Sequence, residues 1–415
     1  MFLAMRGEAP QVASEGTPRA VSRGAPRVVV VGGGIGGVAV ANGLARRGGF
    51  QVTLVSDNPY HVYQPGFLTV PFGQVKPDSL TRSLDRALHR EVRVLPVAAV
   101  DLDPESGVVL LKDRTTVAYD WLVLAPGAAY DLSLVKGFEG GAHHFYSLEA
   151  GLELMSALRS FSGGDVVLGL TTVPFKCPVA PLQFVALLDD FLRRRRLGGR
   201  YRLHFLTPYP QLLGNKSVCE AYVPVLARRG VEIRTGFTVE AVDRRRRRVI
   251  AQEGDECPYD LLILVPPHRG TKFVREAGLG DRNGWIPTER DTLKVVGKPH
   301  LYALGDATDL PVSKTGASAH FQAEVVARNL AAEAAGAAPP YEYSGRVLCL
   351  SEVGGGRATM VSYDYDWPPM PPPPHRVLHL ARSLLDAAYW RLIPTGLSPL
   401  HGLKRRRKVA GRSWW

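Results

Sequence analysis

The hydrophobic positions of this chain fall into continuous apolar runs separated by helical stretches, repeated in two series. Near the start, "RVVVV" at residues 27–31 runs into the small-residue stretch "GGGIGGVAVANGLARR", and a second strand pattern follows at Gln51–Val55. Apolar runs without polar alternation mark strands buried on both faces, as in a parallel sheet. The second series opens with a strand at Asp165–Leu170. It continues through a helix "PLQFVALLDDFLRRRR", a strand "RYRLHFLTP", a helix "CEAYVPVLARRG", a strand "VEIRTGFTVEAVD" and the apolar run "YDLLILVPP". A later strand, His300–Leu304, precedes a helix expected to begin near Ser318. This alternation predicts an α/β protein with two Rossmann-like, doubly wound, three-layer units and a C-terminal segment suited to a membrane surface. The expected division is 27–130 with 291–336, then 131–290, then 337–415. Residues 1–26, rich in Gly, Pro, Ala, Ser and Arg, are expected to form a disordered extension, with an Arg-rich transit peptide as the alternative.

The first junction carries chemistry. Gly32, Gly34 and Gly37 stand in G-x-G-x-x-G spacing between a strand and a helix. The first permits a tight turn, the second lets a pyrophosphate approach the backbone, and the third lets helix and strand pack closely. A dinucleotide site follows from that context, because the motif alone is weak. The acid that commonly binds a ribose at the end of the second strand is replaced by Ser56, with Asp57 beside it. Further along, "HLYALGDATDLPVSKTGASAHFQAEVVARNL" places Gly305 and Asp306 at a strand end, where an aspartate reaches a polyol hydroxyl and the next helix aims its dipole at the ligand. Together with "YDWLVLAPGA" and its Gly127, this resembles the FAD-binding halves of the pyridine nucleotide-disulfide oxidoreductase superfamily. The resemblance implies FAD.

Composition adds limits. The 415 residues, 45% hydrophobic and 22% charged, suffice for several cores. The net charge of +12 is concentrated in three runs, Arg193–Arg196, Arg244–Arg248 and Lys404–Lys408, without which the balance is near neutral. Two of these runs sit at a helix end and a turn, so solvated arginines are expected and no nucleic-acid partner. Four cysteines, none in a C-x-x-C pair, argue against a disulfide scaffold and against a metal site. No run of about 20 apolar residues is present to span a bilayer.

The second series lacks the glycines of the first. Where they belong stands "TTVPFKCPVAP", whose prolines remove amide donors and whose Phe175 and Cys177 fill the approach to a phosphate. A nicotinamide site is therefore not expected there. Cys177, next to Lys176 and at a helix N-terminus, is placed to favour a thiolate.

"PFKCPVAPLQF", "GDATDLPVSKTGASAHFQAE" and "YSGRVLCLSEVGGGRATMVSYDY" together resemble the sulfide:quinone oxidoreductase family over about residues 27–392, with flavocytochrome c sulfide dehydrogenase more distant. The resemblance implies that Cys177 pairs with Cys349 as a disulfide or polysulfide bridge. It implies sulfide as electron donor and a membrane quinone as acceptor, and it leaves room for a homo-oligomer. Lys314 is implied beside the flavin N1/O2 edge. Cys219 and Cys257 match no motif and read as structural. Two departures stand out: Tyr146 occupies a position where many members have a further cysteine, and Gln183 a position where they often have glutamate. Proton relay would then fall to water or to His144, His268 or His320. A type II NADH:quinone dehydrogenase, a soluble sulfide dehydrogenase and a flavin redox sensor remain alternatives.

After the stiff spacer "WPPMPPPP", "HRVLHLARSLLDAAYWRL" places Val377, Leu380, Ala381, Leu384, Ala388 and Leu392 on one helical face. With Lys404–Lys408 and Trp414–Trp415 beyond it, this segment is expected to lie on an anionic membrane surface as a monotopic anchor. A bacterial inner membrane is the expected location, its side left open.

Overall fold

The computed structural model describes residues 24–392 and the strand Leu403–Arg405. Strand β1 (Arg27–Val31) leads into helix α1 (Ile35–Arg47) and β2 (Gln51–Val55), followed by β3 (Arg93–Leu95) and β4 (Trp121–Leu124). The chain then builds β5 (Gly164–Leu170), α2 (Ala180–Arg194), β6 (Tyr201–Leu206), β7 (Val231–Arg234) and β8 (Leu261–Val265). It returns with β9 (Lys294–Val295), β10 (Lys298–Ala303) and α3 (Gly316–Ala334), and ends in a hairpin, β11 (Val347–Gly354) and β12 (Arg357–Tyr363), and helix α4 (Arg376–Leu392).

The first sheet has the order β9-β10-β4-β1-β2-β3, parallel except for β9, and the second the all-parallel order β7-β6-β5-β8. Alternate residues of β1 face opposite layers. Val28 and Val30 share a core with Val38, Leu44 and Val325 of α1 and α3, while Val29 and Val31 pack with Leu102, Val109 and Leu111 of a three-stranded antiparallel sheet. The second sheet repeats the plan: Val166 and Leu168 face Leu182 and Leu188 of α2, and Val167 faces Val242 and Val249 of another three-stranded sheet. Both units are thus three-layered, and the apolar runs are strands buried on two sides.

Some expectations change in detail. "VEIRTGFTVEAVD" divides into β7 and a separate strand, Val239–Asp243, that joins the second antiparallel sheet. Helix α3 begins at Gly316, because the Thr315 hydroxyl accepts from the Ser318 amide as its N-cap. Arg195 is not simply solvated: its guanidinium donates to the carbonyl of Phe161 at 2.9 Å, at the C-terminal end of helix Leu148–Ser160. The proline spacer is tied down, with Thr359 Oγ1 donating to the Pro372 carbonyl and His375 bridging to Ala358. Leu403–Arg405, the start of the basic run, forms a strand antiparallel to Tyr341–Tyr343. The rest of that run, Trp414–Trp415 and nearly all of the N-terminal extension lie outside the described residues.

Candidate active site

The glycine turn after β1 divides its labour. At Gly32 the backbone has φ +114° and a Cβ would fall 2.2 Å from the Ala125 carbonyl oxygen; at Gly37 a Cβ would fall 1.9 Å from the Gly32 oxygen. Those two hold strand, turn and helix together. Gly34, the N-cap of α1, is different, since a Cβ there would meet nothing within 4 Å. It borders a cavity of about 370 Å³ that runs past Gly36, Gly127, Gly305 and Asp306 to both Cys177 and Cys349. An open helix N-terminus bordering a mostly apolar cavity fits a dinucleotide with an aromatic ring system, and these residues would hold FAD.

The other sequence candidates take these places. Asp306 lines the cavity in the tight turn Gly305–Ala307, while the Gly305 amide donates to Gln322 Oε1 at 2.6 Å. Ser56 is buried at the end of β2, with its hydroxyl donating to the Asn58 carbonyl at 2.9 Å, and Asp57 beside it is exposed. Lys314 also lines the cavity, but its ammonium donates to the carbonyls of Asp306 and Thr308 and lies 4.0 Å from the Trp285 ring centroid. Burial lowers its pKa to about 8. Lys176, in the same cavity, donates to Gln64 Oε1 and lies over the Tyr130 ring; Tyr130 and Asp306 outweigh the burial that opposes its charge.

Two elements deliver the cysteines. Cys177 sits in the loop between β5 and α2 in a left-handed conformation (φ 50°), where its amide donates to the Lys314 carbonyl at 2.8 Å. Cys349 lies on β11, paired in register with Val361 of β12. The two carriers are bolted together: Arg229 reaches Asp189 (2.6 Å) and Asp190 (2.7 Å) on α2 and the Val353 carbonyl (3.0 Å) on β11. Both thiols are free in this reduced form and lie close enough for Cys177 to donate to Cys349. That hydrogen bond, with the nearby Arg382 charge, lowers the pKa of Cys349, and the same bond together with burial raises that of Cys177. Arg382 and Gln183 both favour negative charge on Cys349. The expected thiolate preference of Cys177 is opposed by its contact with Cys349 and by burial, and the Lys176 ammonium beside it is engaged by Gln64 and Tyr130.

Helix α4 contributes residues that sequence reasoning did not place in the site. Its polar face packs inwards. Arg382, with 12% side-chain exposure, donates to Gln183 Oε1 at 2.8 Å and lies near Asp386 (3.5 Å) and Glu352 (3.8 Å). Gln183 Nε2 faces Cys349 Sγ at 3.9 Å. Glu352, buried on β11, pairs with His379 at 2.8 Å. Asp386 accepts from the Tyr63 hydroxyl, and the Tyr389 hydroxyl meets His61 Nε2 at 2.7 Å while His61 Nδ1 bonds the Gly33 carbonyl. The outward residues Val377, Leu380 and Leu384 are 63%, 58% and 62% exposed, whereas Ala381, Ala388 and Leu392 are half-buried.

Of the relay candidates, His320 lines the cavity, and His144 and His268 pack around Tyr130. Burial lowers all three, to about 4 for His144 and about 3 for His268. Tyr146 lines the cavity with its hydroxyl buried and no hydrogen-bond partner among the described residues. Cys219 exchanges contacts with the Leu213 backbone, and Cys257 is buried in the second antiparallel sheet; neither approaches the cavity.

Comparison with known proteins agrees with this geometry. Residues 26–169 match the family described as pyridine nucleotide-disulphide oxidoreductase. The chain is 24% identical to the mitochondrial sulfide:quinone oxidoreductase of Mus musculus over 83% of its own length and 79% of that protein. Its fold resembles the crystal structure of the sulfide:quinone oxidoreductase from Aquifex aeolicus with a TM-score of 0.84 at 21% identity, covering 93% of this chain and 99% of that one. A type II NADH:quinone oxidoreductase of Mycobacterium tuberculosis is 27% identical over a shorter span, 72% of this chain and 69% of that protein.

Proposed function

We infer that this chain, a relative of the sulfide:quinone oxidoreductases, is an FAD-dependent enzyme that oxidises sulfide and passes the electrons to a quinone. The single observation that carries this over the NADH:quinone alternative is the convergence of Cys177 and Cys349 on the cavity, at the junction where a nicotinamide phosphate loop would stand. Pro174, Pro178 and Pro181 leave that junction short of amide donors.

FAD, when bound, supplies a two-electron acceptor that a quinone can reoxidise. The protein's own part is sulfur chemistry. In the oxidised enzyme Cys177 and Cys349 form a disulfide. Hydrosulfide attacks Cys177 Sγ, the new S–S bond forms, the bond to Cys349 breaks, and Cys349 leaves as thiolate with the electron pair. The assignment of Cys349 as leaving group is supported by Gln183 Nε2 facing its sulfur at 3.9 Å and by the nearby Arg382 charge. A nucleophilic acceptor then takes the outer sulfur from Cys177, leaving two thiolates. Reclosure of the bridge gives up two electrons, for which FAD would be the acceptor when bound, and the hydrosulfide proton leaves to water. Gly34, Gly127, Gly305 and Asp306 would hold the dinucleotide, and Ser56 and Asp57 are the residues proposed for its ribose. Lys314 braces the Asp306 turn through its carbonyl bonds.

No described helix is long and apolar enough to cross a membrane. The exposed apolar side of α4 supports peripheral seating on a bilayer, with a bacterial inner membrane the proposed location, and quinone entering between Tyr389, Leu385 and Leu392 at the mouth of the cavity.

Anaerobic mixing tests this reading. Sulfide should bleach the flavin and NADH should not, and a short-chain quinone should restore the oxidised spectrum. Cys177→Ser and Cys349→Ser should each keep FAD and lose sulfide-driven bleaching by at least about 100-fold, the scale for removing one member of a covalent pair. Bleaching by NADH alone would sink the proposal.

A further inference from the structure

A glutamine buried beside two cysteines can present either end of its amide to sulfur, and only one end helps. Gln183 is 3% exposed. Its Oε1 receives two donors, Arg382 Nη1 at 2.8 Å and the Glu352 amide at 3.2 Å. Both donors are unambiguous, since an arginine cannot accept and a backbone amide cannot turn over. The oxygen is therefore fixed on that side, and Nε2, which only donates, is left facing Cys349 Sγ. A donor there stabilises sulfur carrying negative charge and does nothing for a neutral bridge. Arg382 adds its own charge from the same side, lining the cavity with Gln183 and Cys349.

We propose that Arg382, carried on the inner face of α4, is the positioning residue of the sulfur site: it locks the Gln183 amide with Nε2 towards Cys349 and stabilises that sulfur as it leaves the bridge. This rests on the reading of Cys177 and Cys349 as a redox pair. It also gives Gln183 a task that a glutamate could not perform there, because a carboxylate has no hydrogen to offer and would repel the thiolate. The groups facing Cys349 are Cys177 from the loop, Arg382 and Asp386 from α4, Tyr222 from helix Lys216–Ala227 and Tyr363 from β12, with Glu352 of its own strand reaching Arg382 instead. Asp386 opposes the effect, and the two tyrosines stay neutral because burial raises them. Arg382 is thus the cation that acts on this sulfur. Burial works against its charge, and Asp386 and Glu352 outweigh that penalty.

The test is peptide-resolved alkylation by iodoacetamide of the reduced, FAD-loaded enzyme as a function of pH. In the wild type Cys349 should react with a midpoint below the ordinary thiol value of about 8.5. Since the cysteines titrate as a pair, this midpoint reports loss of the first proton. Arg382→Met should move it upward by about one pH unit or more, the usual effect of losing an opposite charge. Arg382→Lys should restore part of that shift, and Gln183→Leu should move it in the same direction as Arg382→Met. Gln183→Leu leaves α4 intact, so it decides the matter if Arg382→Met fails to fold. An unchanged Cys349 midpoint in folded Arg382→Met, or in Gln183→Leu where Arg382→Met does not fold, overturns the proposal. The measurement needs no sulfide. If sulfide fails to bleach the wild-type flavin while the midpoint still depends on Arg382, the functional reading falls and the positioning role stands.

Discussion

Gly34 and Gly37 stand three residues apart in one motif and answer to different demands. A methyl at 37 would occupy the space of the Gly32 carbonyl oxygen, whereas one at 34 would meet no protein atom. Gly37→Ala should therefore lower the stability of the apoprotein by about 2 kcal/mol or more. Gly34→Ala should leave apoprotein melting unchanged and reduce FAD retention. Melting curves with and without cofactor, beside the flavin-to-protein absorbance ratio, separate the two. The spacing of such glycines is legible in sequence because each occupies a fixed step of the strand-turn-helix path. What Lys314 does is not legible that way. A lysine near a flavin motif suggests a charge for the ring, yet its ammonium is held by two carbonyls and an indole face. Glu352 and His379 carry no local signal at all, since their pairing joins a strand to a helix 27 residues away.

The hairpin β11–β12 and helix α2 are remote in sequence, and the distance between the two cysteines depends on how firmly they are joined. Arg229 makes that joint, together with the Gly355 amide that donates to Asp190 at 2.6 Å. Asp189 is 1% exposed and would keep only Arg193 and the Tyr201 hydroxyl as partners without Arg229. Arg229→Ala should cost about 2–3 kcal/mol of stability, the scale for stripping one partner from a largely buried pair. It should also slow sulfide-driven flavin bleaching more than it changes FAD content, because the hairpin carries Cys349 and little of the dinucleotide cradle. Denaturant melts and stopped-flow traces check both effects. Helix α2 was legible from apolar periodicity and the vacated glycine loop from its prolines, whereas the hairpin entered only as a stretch that resembles the family. The inward face of α4 was not legible. An amphipathic pattern shows that two faces differ and marks the apolar one, turned outwards here at Leu380 and Leu384, but it does not say that Arg382, Asp386 and Tyr389 on the other side enter a site.

At the scale of the whole molecule, the outward apolar face of α4 matters because the two substrates of the proposed function live in different phases. Sulfide is water-soluble and a long-chain quinone is not, so under that proposal the cavity should open towards a bilayer. Helix α4 borders the cavity through Arg382, Leu385 and Tyr389 and turns Val377, Leu380 and Leu384 away from the protein. Each such side chain contributes about 1.5–3 kcal/mol when fully removed from water, so the three together give an upper bound of several kcal/mol for seating on lipid. Neither Leu380 nor Leu384 touches the cavity. The double change Leu380→Glu and Leu384→Glu should therefore leave FAD content, sulfide-driven bleaching and reoxidation by a short-chain quinone as they are. Co-sedimentation with anionic vesicles should fall at least 10-fold, and reoxidation by a long-chain quinone held in those vesicles should fall with it. If vesicle binding and long-chain turnover both survive the double change, α4 is not the seat, and the route for quinone must open elsewhere on the molecule.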